Sequence, residues 1–332
     1  MAVIDENGVR RRLKIMLRSD KLVEDYIAAH GFRVDISKVQ AMVQPNEEKT
    51  VDFGDSIETA DDDPVFTVFL KCPSCYMTKL PSHELKSKSQ QILMDKFGMP
   101  TYRALGRYKT VDYNLISVTV CPQCLFASPD KKDFITRDPA ARAREVPARL
   151  HQGELAAILA AADDRATWLI GQNLDAMTAL LPRTRTPEAG LASYELAIQR
   201  AQIEFGRNVP FSAFKMAGYT LKKAVIRRTY EMDETEELAQ ALKLYLLCFE
   251  RSNAPGFQHE GLVLYQVIAL GIRLGQLDLA GSYFGVLDRS KKRLEGSKED
   301  PQVVATFMRW YNAAREIWSD RENPDLWALR GS

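Results

Sequence analysis

The chain has 332 residues, enough for two or three domains, and its apolar and charged fractions are those of an ordinary globular protein. Lysine and arginine exceed aspartate and glutamate by only one charge, so no overall field attracts nucleic acid or an anionic membrane. No apolar run reaches the ~20 residues of a membrane helix, and the N-terminus lacks the basic-then-apolar order of a secretory signal. We therefore predict a cytoplasmic protein, in a compartment that keeps cysteines reduced.

The N-terminal part of the chain is predicted to be a helical segment followed by a linker. Apolar residues recur at helical spacing between residues 9 and 30, which predicts an N-terminal helical segment within residues 1–46. Residues 47–64 are acidic and contain the run Asp61-Asp62-Asp63, a composition typical of an exposed linker with little core.

Two Cys-Pro-x-Cys tetrads each follow a run rich in β-branched residues. Residues 65–70 lead into Cys72-Pro73-Ser74-Cys75, and residues 115–120 lead into Cys121-Pro122-Gln123-Cys124. Both runs are predicted to be strands. A returning strand is predicted over 76–80 and a helix over 83–97. This order of elements predicts a zinc-ribbon-like domain with a helical insert over residues 65–137.

The four cysteines of these tetrads are predicted to bind one metal ion: Cys72, Cys75, Cys121 and Cys124. Each Cys-x-x-Cys loop directs two thiolates at one point, and two loops supply the tetrahedral ligand set of a closed structural zinc site, so Zn2+ is the predicted cofactor. Iron in a rubredoxin-like site, a redox pair and unliganded thiols are the alternatives. Such loops often have glycine after the second cysteine, where φ is positive. This chain has Tyr76 and Leu125 there, so its loop geometry must be strained or altered.

From residue 138 onward the pattern is helical almost throughout. A cap residue precedes proline at Asp138-Pro139, Thr186-Pro187 and Asp300-Pro301, and Gly206 and Gly275 fall where helices should end. We predict helices over 139–146, 148–161, 164–181, 188–205, 211–231, 235–251, 259–274, 277–290 and 301–319. Short links and a small-then-aromatic pattern predict a tetratricopeptide-like helical stack over residues 138–332. The predicted fold class is therefore α+β.

This combination resembles a bacterial family, the domain-of-unknown-function family numbered 2225. The similarity lies in both Cys-Pro-x-Cys loops, in residues 118–127 with Phe134 downstream, and in the helical C-terminal half. It covers roughly residues 65–290. The chain departs from the family pattern in lacking glycine at Tyr76 and Leu125. The resemblance implies a zinc-ribbon-like module joined to a helical repeat domain, and it carries no established activity.

No signature of a known reaction occurs in the sequence. It contains no phosphate-binding loop of the form G-x-x-x-x-G-K-[ST] or G-x-G-x-x-G, no G-x-S-x-G elbow and no H-E-x-x-H motif. The four histidines are scattered, and the carboxylates on predicted helices alternate with lysine and arginine as solvated faces do. We therefore predict that the protein is not an enzyme.

The main functional hypothesis is a protein–protein interaction scaffold, because stacked helices form a concave surface that can bind a peptide or a partner domain. Four basic residues are candidates to line this groove and to bind an acidic or C-terminal carboxylate ligand: Lys215, Lys222, Arg227 and Arg273.

The alternative hypothesis is a nucleic-acid-binding zinc-ribbon protein. Basic residues outnumber acidic ones across the ribbon, and tyrosines such as Tyr102, Tyr108 and Tyr113 are interleaved with them, as base-stacking platforms would be. The plainer interpretation is that these basic residues balance the acidic linker before them. The basic residues are Lys71, Lys79, Lys86, Lys88, Lys96, Arg103, Arg107, Lys109, Lys131, Lys132 and Arg137.

Overall fold

The computed structural model of the chain describes residues 13, 20–31, 60–137 and 145–327. The chain divides into two compact units, Met1–Asp55 and Ser56–Ser332. The first unit contains helix α1 (Asp20–His30), which confirms the second half of the predicted N-terminal helix. Most of the linker prediction, and the predicted helix start at Asp138-Pro139, lie outside the described residues.

The strand-rich part of the second unit is built from short antiparallel hairpins. The described pairs are β1 (Val65–Leu70) with β2 (Leu80–Leu85), β3 (Gln90–Met94) with β4 (Pro100–Ala104), β5 (Thr119–Val120) with β6 (Ala127–Ser128), and β7 (Thr136–Arg137) with β8 (Glu145–Val146). Each of these sheets has two strands. Because an isolated two-stranded hairpin is marginally stable in water, these hairpins depend on what they pack against.

The sequence prediction for the segment between the two cysteine loops was wrong in its elements. The range 83–97, predicted as a helix, contains β3 and half of β2, and the strand predicted over 76–80 begins only at Leu80. The overlooked signal is a turn. The Asp95 carboxylate accepts hydrogen bonds from the backbone N–H groups of Phe97 and Met99, and Gly98 takes a positive φ of 68°. This turn chemistry closes the β3–β4 hairpin.

Three further predicted elements differ from the structure. The strand predicted over 115–120 is a short helix, α2 (Tyr113–Ile116), followed by β5, because Asp112 caps the N–H of Asn114. The last two residues of the helix predicted over 139–146 form β8. The helix predicted over 164–181 is interrupted where Asn173 has a φ of 55°.

The helices of the second half agree closely with the prediction from residue 187 onward. The described helices are α3 (Gln152–Ala160), α4 (Ala162–Gly171), α5 (Ala176–Ala179), α6 (Pro187–Gly206), α7 (Ser212–Thr229), α8 (Thr235–Glu250), α9 (Phe257–Arg273), α10 (Leu277–Glu295) and α11 (Pro301–Ser319). Two predicted caps are confirmed, since Thr186 accepts from the N–H of Ala189 at 3.3 Å and Asp300 accepts from that of Gln302 at 2.7 Å.

The helices from α6 to α10 pack in chain order, each against the next, and α11 packs on α9. Helix α9 is therefore the centre of the array and packs against α8, α10 and α11. The approach of α9 to α11 depends on Gly261, where a Cβ atom would lie 2.9 Å from Cδ2 of Phe307. None of the helices in the described parts combines the length and the apolar character that crossing a bilayer requires.

The tip of the β3–β4 hairpin is inserted among these helices. The Phe97 side chain is 1% exposed, and its ring stacks on Trp327 with 5.0 Å between ring centroids. Gln266 of α9 donates a hydrogen bond to the Phe97 carbonyl at 2.8 Å, and the Tyr265 hydroxyl donates to the carbonyl of Lys96. The hairpin is thus stabilised by residues that follow it in the chain by about half the chain length.

The fold is α+β, a zinc-ribbon-like β module followed by helices, and this confirms the predicted fold class. The tetratricopeptide-like character of the array stays a prediction. So do the domain bounds 65–137 and 138–332, which fall within the single unit Ser56–Ser332.

Candidate metal centre

The structure brings together the four cysteines that the sequence indicated. The Sγ atoms of Cys72 and Cys124 are 3.6 Å apart, those of Cys75 and Cys121 are 3.5 Å apart, and all four sulfur atoms lie within 4.8 Å of one another. All four side chains are buried. The shortest of these contacts join one loop to the other, so the loops form one site that can hold a metal ion.

Both loops have the same backbone geometry. The N–H of Tyr76 donates to the carbonyl of Cys72 at 3.0 Å, and the N–H of Leu125 donates to that of Cys121 at 2.8 Å. The residue after each second cysteine has a positive φ, 60° for Tyr76 and 56° for Leu125. The strain predicted from the missing glycines is therefore present, at a cost of roughly 1–2 kcal/mol per residue.

The thiols of the site interact strongly with one another. Burial raises the pKa of Cys72 and of Cys121 well above the ordinary value, whereas hydrogen bonds from the Cys121 and Cys72 thiols lower the pKa of Cys124. A buried cluster with protons on its sulfur atoms does not ionise fully by itself. A bound cation would replace those protons, because metal ligation requires thiolates.

The donor set fits a four-sulfur ion. Zinc bound by four thiolates at about 2.3 Å in a tetrahedron places neighbouring sulfur atoms about 3.8 Å apart, close to the two shortest distances found here. The cluster is made of cysteine alone among the described residues, without histidine or carboxylate. Iron uses the same thiolates at similar geometry, so the four sulfur atoms fit either metal.

Helices α3 and α4 cover the site, and sequence analysis missed their contribution. The hydroxyl of Ser74 donates to the carbonyl of Leu155 at 3.2 Å. The Arg165 guanidinium donates through Nη2 to the carbonyl of Cys124 at 2.8 Å and to that of Ile158 at 2.7 Å. In the sequence, Arg165 follows Asp163 and Asp164 and has the appearance of a solvated charged turn, so nothing local indicated its burial.

The four basic residues predicted to bind a partner each have a partner within the chain. Burial lowers the pKa of the Lys222 ammonium to about 8. Of these four residues, Arg227 also lines a cavity between α6 and α8. Their role in binding another protein stays a prediction, and these internal contacts would compete with it. The contacts are Lys215 with Glu204 at 2.8 Å, Lys222 with Asn114 at 3.1 Å, Arg227 with Glu237 at 2.5 Å, and Arg273 with Glu234 at 3.1 Å.

Two cavities open between alternate helices. Helices α6 and α8 both pack on α7, and between them lies a cavity of about 360 Å3 with a floor that includes Ile198 and Met216. A second cavity of about 560 Å3 lies between α8 and α10 and is lined by Phe249, Val263 and Tyr283. Each cavity opens in the gap between two helices that both pack on the same third helix.

Several basic and aromatic residues of the strand-rich part also have partners within the chain. Lys109 pairs with Asp62 at 2.8 Å, and Lys131 pairs with Glu84. The rings of Tyr102 and Tyr113 meet edge to face at 5.6 Å between centroids. These contacts agree with the interpretation that the basic residues balance nearby acids, and nucleic-acid binding stays a prediction.

Comparison with known proteins assigns the chain to a family. Residues 66–309 match the model of a family described as "Uncharacterized protein conserved in bacteria (DUF2225)". The matched region contains both cysteine loops, the hairpin insert, the helices from α3 to α10 and the first half of α11. No curated protein and no solved structure matches the chain. The chain belongs to the DUF2225 family of bacterial proteins.

Proposed function

We propose that the chain is a zinc-containing scaffold that binds a protein partner and has no enzymatic activity. The observation that supports the zinc most directly is the convergence of four buried sulfur atoms within 4.8 Å. Four protein ligands leave no coordination position open for water or substrate, as in structural rather than catalytic zinc sites. The sequence also has none of the phosphate-loop, nucleophile-elbow or metalloprotease motifs.

The zinc assignment is tested by elemental analysis of the full chain purified without chelators. We expect about one zinc per chain, and we expect Cys72→Ser and Cys121→Ser to lose it, because three thiolates no longer close the site. Cys248→Ser is the matched control, since Cys248 is equally buried in α8 but lies outside the cluster. Wild-type protein without metal would reject the site, and iron in place of zinc would correct its identity.

What supports a scaffold role is the arrangement of the helices. Helices that pack in chain order leave gaps between alternate members, and two of these gaps are open cavities with apolar floors and polar rims. Arrays of this kind bind peptides and partner domains along such a surface. We assign the partner to the gaps between helices in which these two cavities open.

The partner surface is tested by affinity capture from the native cell with mass spectrometry. Gln202 and Gln240 are exposed residues at the cavity between α6 and α8. The double change Gln202→Arg with Gln240→Arg adds bulk and charge there, so we expect the wild-type partner to be lost. Gln276→Arg is the control, an identical change at an exposed turn outside both cavities. Recovery of no specific protein by the wild-type chain would contradict the scaffold role.

A further inference from the structure

The residue that carries a further inference is Arg165, on helix α4. Its side chain is 2% exposed, as deep in the interior as the cysteines themselves. Through one nitrogen, Nη2, it donates to the carbonyl of Cys124 and to that of Ile158 at the end of α3. The guanidinium therefore ties the second cysteine loop to the helices that cover the site.

The other two nitrogens of Arg165 are buried as well. Neither Nε nor Nη1 has a hydrogen-bond acceptor among the described residues. A buried cation without a counter-charge is strongly unfavourable. Arg200 shows the usual solution, because this equally buried guanidinium pairs with Asp133 at 2.9 Å and Glu204 at 3.1 Å. For Arg165, the described residues supply no such carboxylate pair.

The negative groups that act on Arg165 are sulfur atoms of the site and the carboxylate of its neighbour Asp164. Cys124 and Cys72 both interact with it electrostatically, and Cys124 has the larger effect. Four thiolates around one divalent ion retain two net negative charges, which must be held in a buried site. A fixed positive charge at this position lowers the cost of holding them.

We propose that Arg165 is a positioning residue of the metal centre, where its guanidinium orients the Cys124 loop and offsets the negative charge of the metal-bound thiolates. This inference rests on the proposed zinc site and adds a determinant of its affinity outside the four ligands. Partners of metal ligands that act in this way typically change metal affinity by about 10–100-fold when removed.

The test compares zinc affinity in full-length variants by competition with a chromophoric chelator. Arg165→Gln retains a donor for the Cys124 carbonyl but removes the charge, and Arg165→Met removes both. Both should raise the Kd for zinc about 10–100-fold. Arg165→Lys keeps the charge and should retain most of the affinity. Equal losses in Arg165→Lys and Arg165→Gln would overturn the role of the charge.

Arg185→Met is the matched control for burial. Arg185 is also a buried arginine that donates to backbone carbonyls, those of Val118 at 2.9 Å and Leu115 at 3.3 Å, and the cysteines do not act on it. Its loss should leave the Kd for zinc unchanged. If Arg185→Met weakens zinc binding as much as Arg165→Met does, the effect is general destabilisation and the inference is overturned.

A spectroscopic measurement distinguishes the loss of the Arg165 charge from a loss of fold stability. With Co2+ in place of zinc, the sulfur-to-cobalt charge-transfer band should move to longer wavelength in Arg165→Gln, since the sulfur electrons are held less tightly without the nearby cation. Arg165→Lys and Arg185→Met should leave the band in place. An unmoved band in a cobalt-loaded Arg165→Gln chain would overturn the inference. Wild-type protein without metal would instead refute the proposed zinc site itself.

Discussion

The strand-rich part and the helical array of the second unit are held together in different ways. The array from α6 to α11 has one continuous apolar core, in which residues such as Leu264, Ile268 and Phe307 are fully buried. Near the candidate metal centre the core is a smaller cluster, in which the four cysteines pack with side chains such as Leu80 and Phe126. Where apolar burial is limited, a bound metal ion would supply cohesion that the apolar core does not.

A buried charge network joins the two parts. Arg200 of α6 is fully buried between Glu204 of the same helix and Asp133 of the strand-rich part, and Lys215 of α7 completes the network through Glu204. The Arg200 guanidinium also lies over the ring of Phe126 at 5.0 Å. The helical array therefore supplies the counter-charge of Asp133, which is buried in the strand-rich part.

Removing the metal should reveal the difference in stability between the two parts most clearly. On chelation of zinc, or in Cys72→Ser, we expect the strand-rich part to lose several kcal/mol of stability, because metal binding is coupled to local folding. Amide hydrogen exchange should rise in β1, β5 and β6 and stay slow in α9. Cys248→Ser should leave both regions protected. Equal loss of protection in both regions would show that the two parts do not differ in how they are held together.

Breaking the charge network should have the next largest effect. Asp133→Asn leaves the Arg200 guanidinium buried with less counter-charge, which typically costs about 3–5 kcal/mol. The unfolding midpoint of the zinc-loaded chain in urea should fall accordingly. Glu295→Gln is the control, because its ion pair with Lys291 is largely exposed and is worth at most about 0.5 kcal/mol. A shift no larger than that of the control would mean that the network does not join the parts.

The same network predicts a dependence on pH. Burial by itself would raise the pKa of Asp133, but the charges of Arg200 and Lys215 and the hydrogen bond from Ser128 together outweigh burial, and the pKa lies below its ordinary value of 3.8. The stabilising contribution is therefore complete above that value and is lost as the pH falls through the lower pKa of the folded state. Below about pH 4, the Tm of the wild-type chain should fall more steeply than that of Asp133→Asn. Parallel curves would contradict this assignment.

The smallest effect is expected at the two strained loop residues, where substitution by glycine should change stability in opposite directions. Tyr76 is 47% exposed, so Tyr76→Gly relieves the positive φ while losing little packing, and we expect a gain of up to about 1 kcal/mol. Leu125 is buried in the core, so Leu125→Gly should cost about 2–4 kcal/mol in spite of the relief. Thermal melts of the two zinc-loaded variants measure both. A loss in Tyr76→Gly would mean that its ring contributes more than strain removes.

The parts that could be predicted from sequence are those whose signals are local. Helices α6 and α11 begin at a cap residue followed by proline, and the local Cys-Pro-x-Cys sequence specifies the geometry of each cysteine loop. The β3–β4 hairpin could not be predicted in this way, because β3 lacks the apolar–polar alternation of a half-buried strand and the tip is held by Gln266, 169 residues further along the chain. Arg165 was missed for the same reason, since its burial arises from tertiary packing.

The distance in sequence between Phe97 and the residues around it has a consequence for synthesis. Phe97 leaves the ribosome long before Gln266 and Trp327, which complete its surroundings. At about 5–20 residues per second, the 169 residues up to Gln266 take on the order of 10–30 s to make. We expect both cysteine loops to be ready for metal for most of that interval, once Cys124 has been made, while the hairpin tip remains an apolar segment that a chaperone can bind.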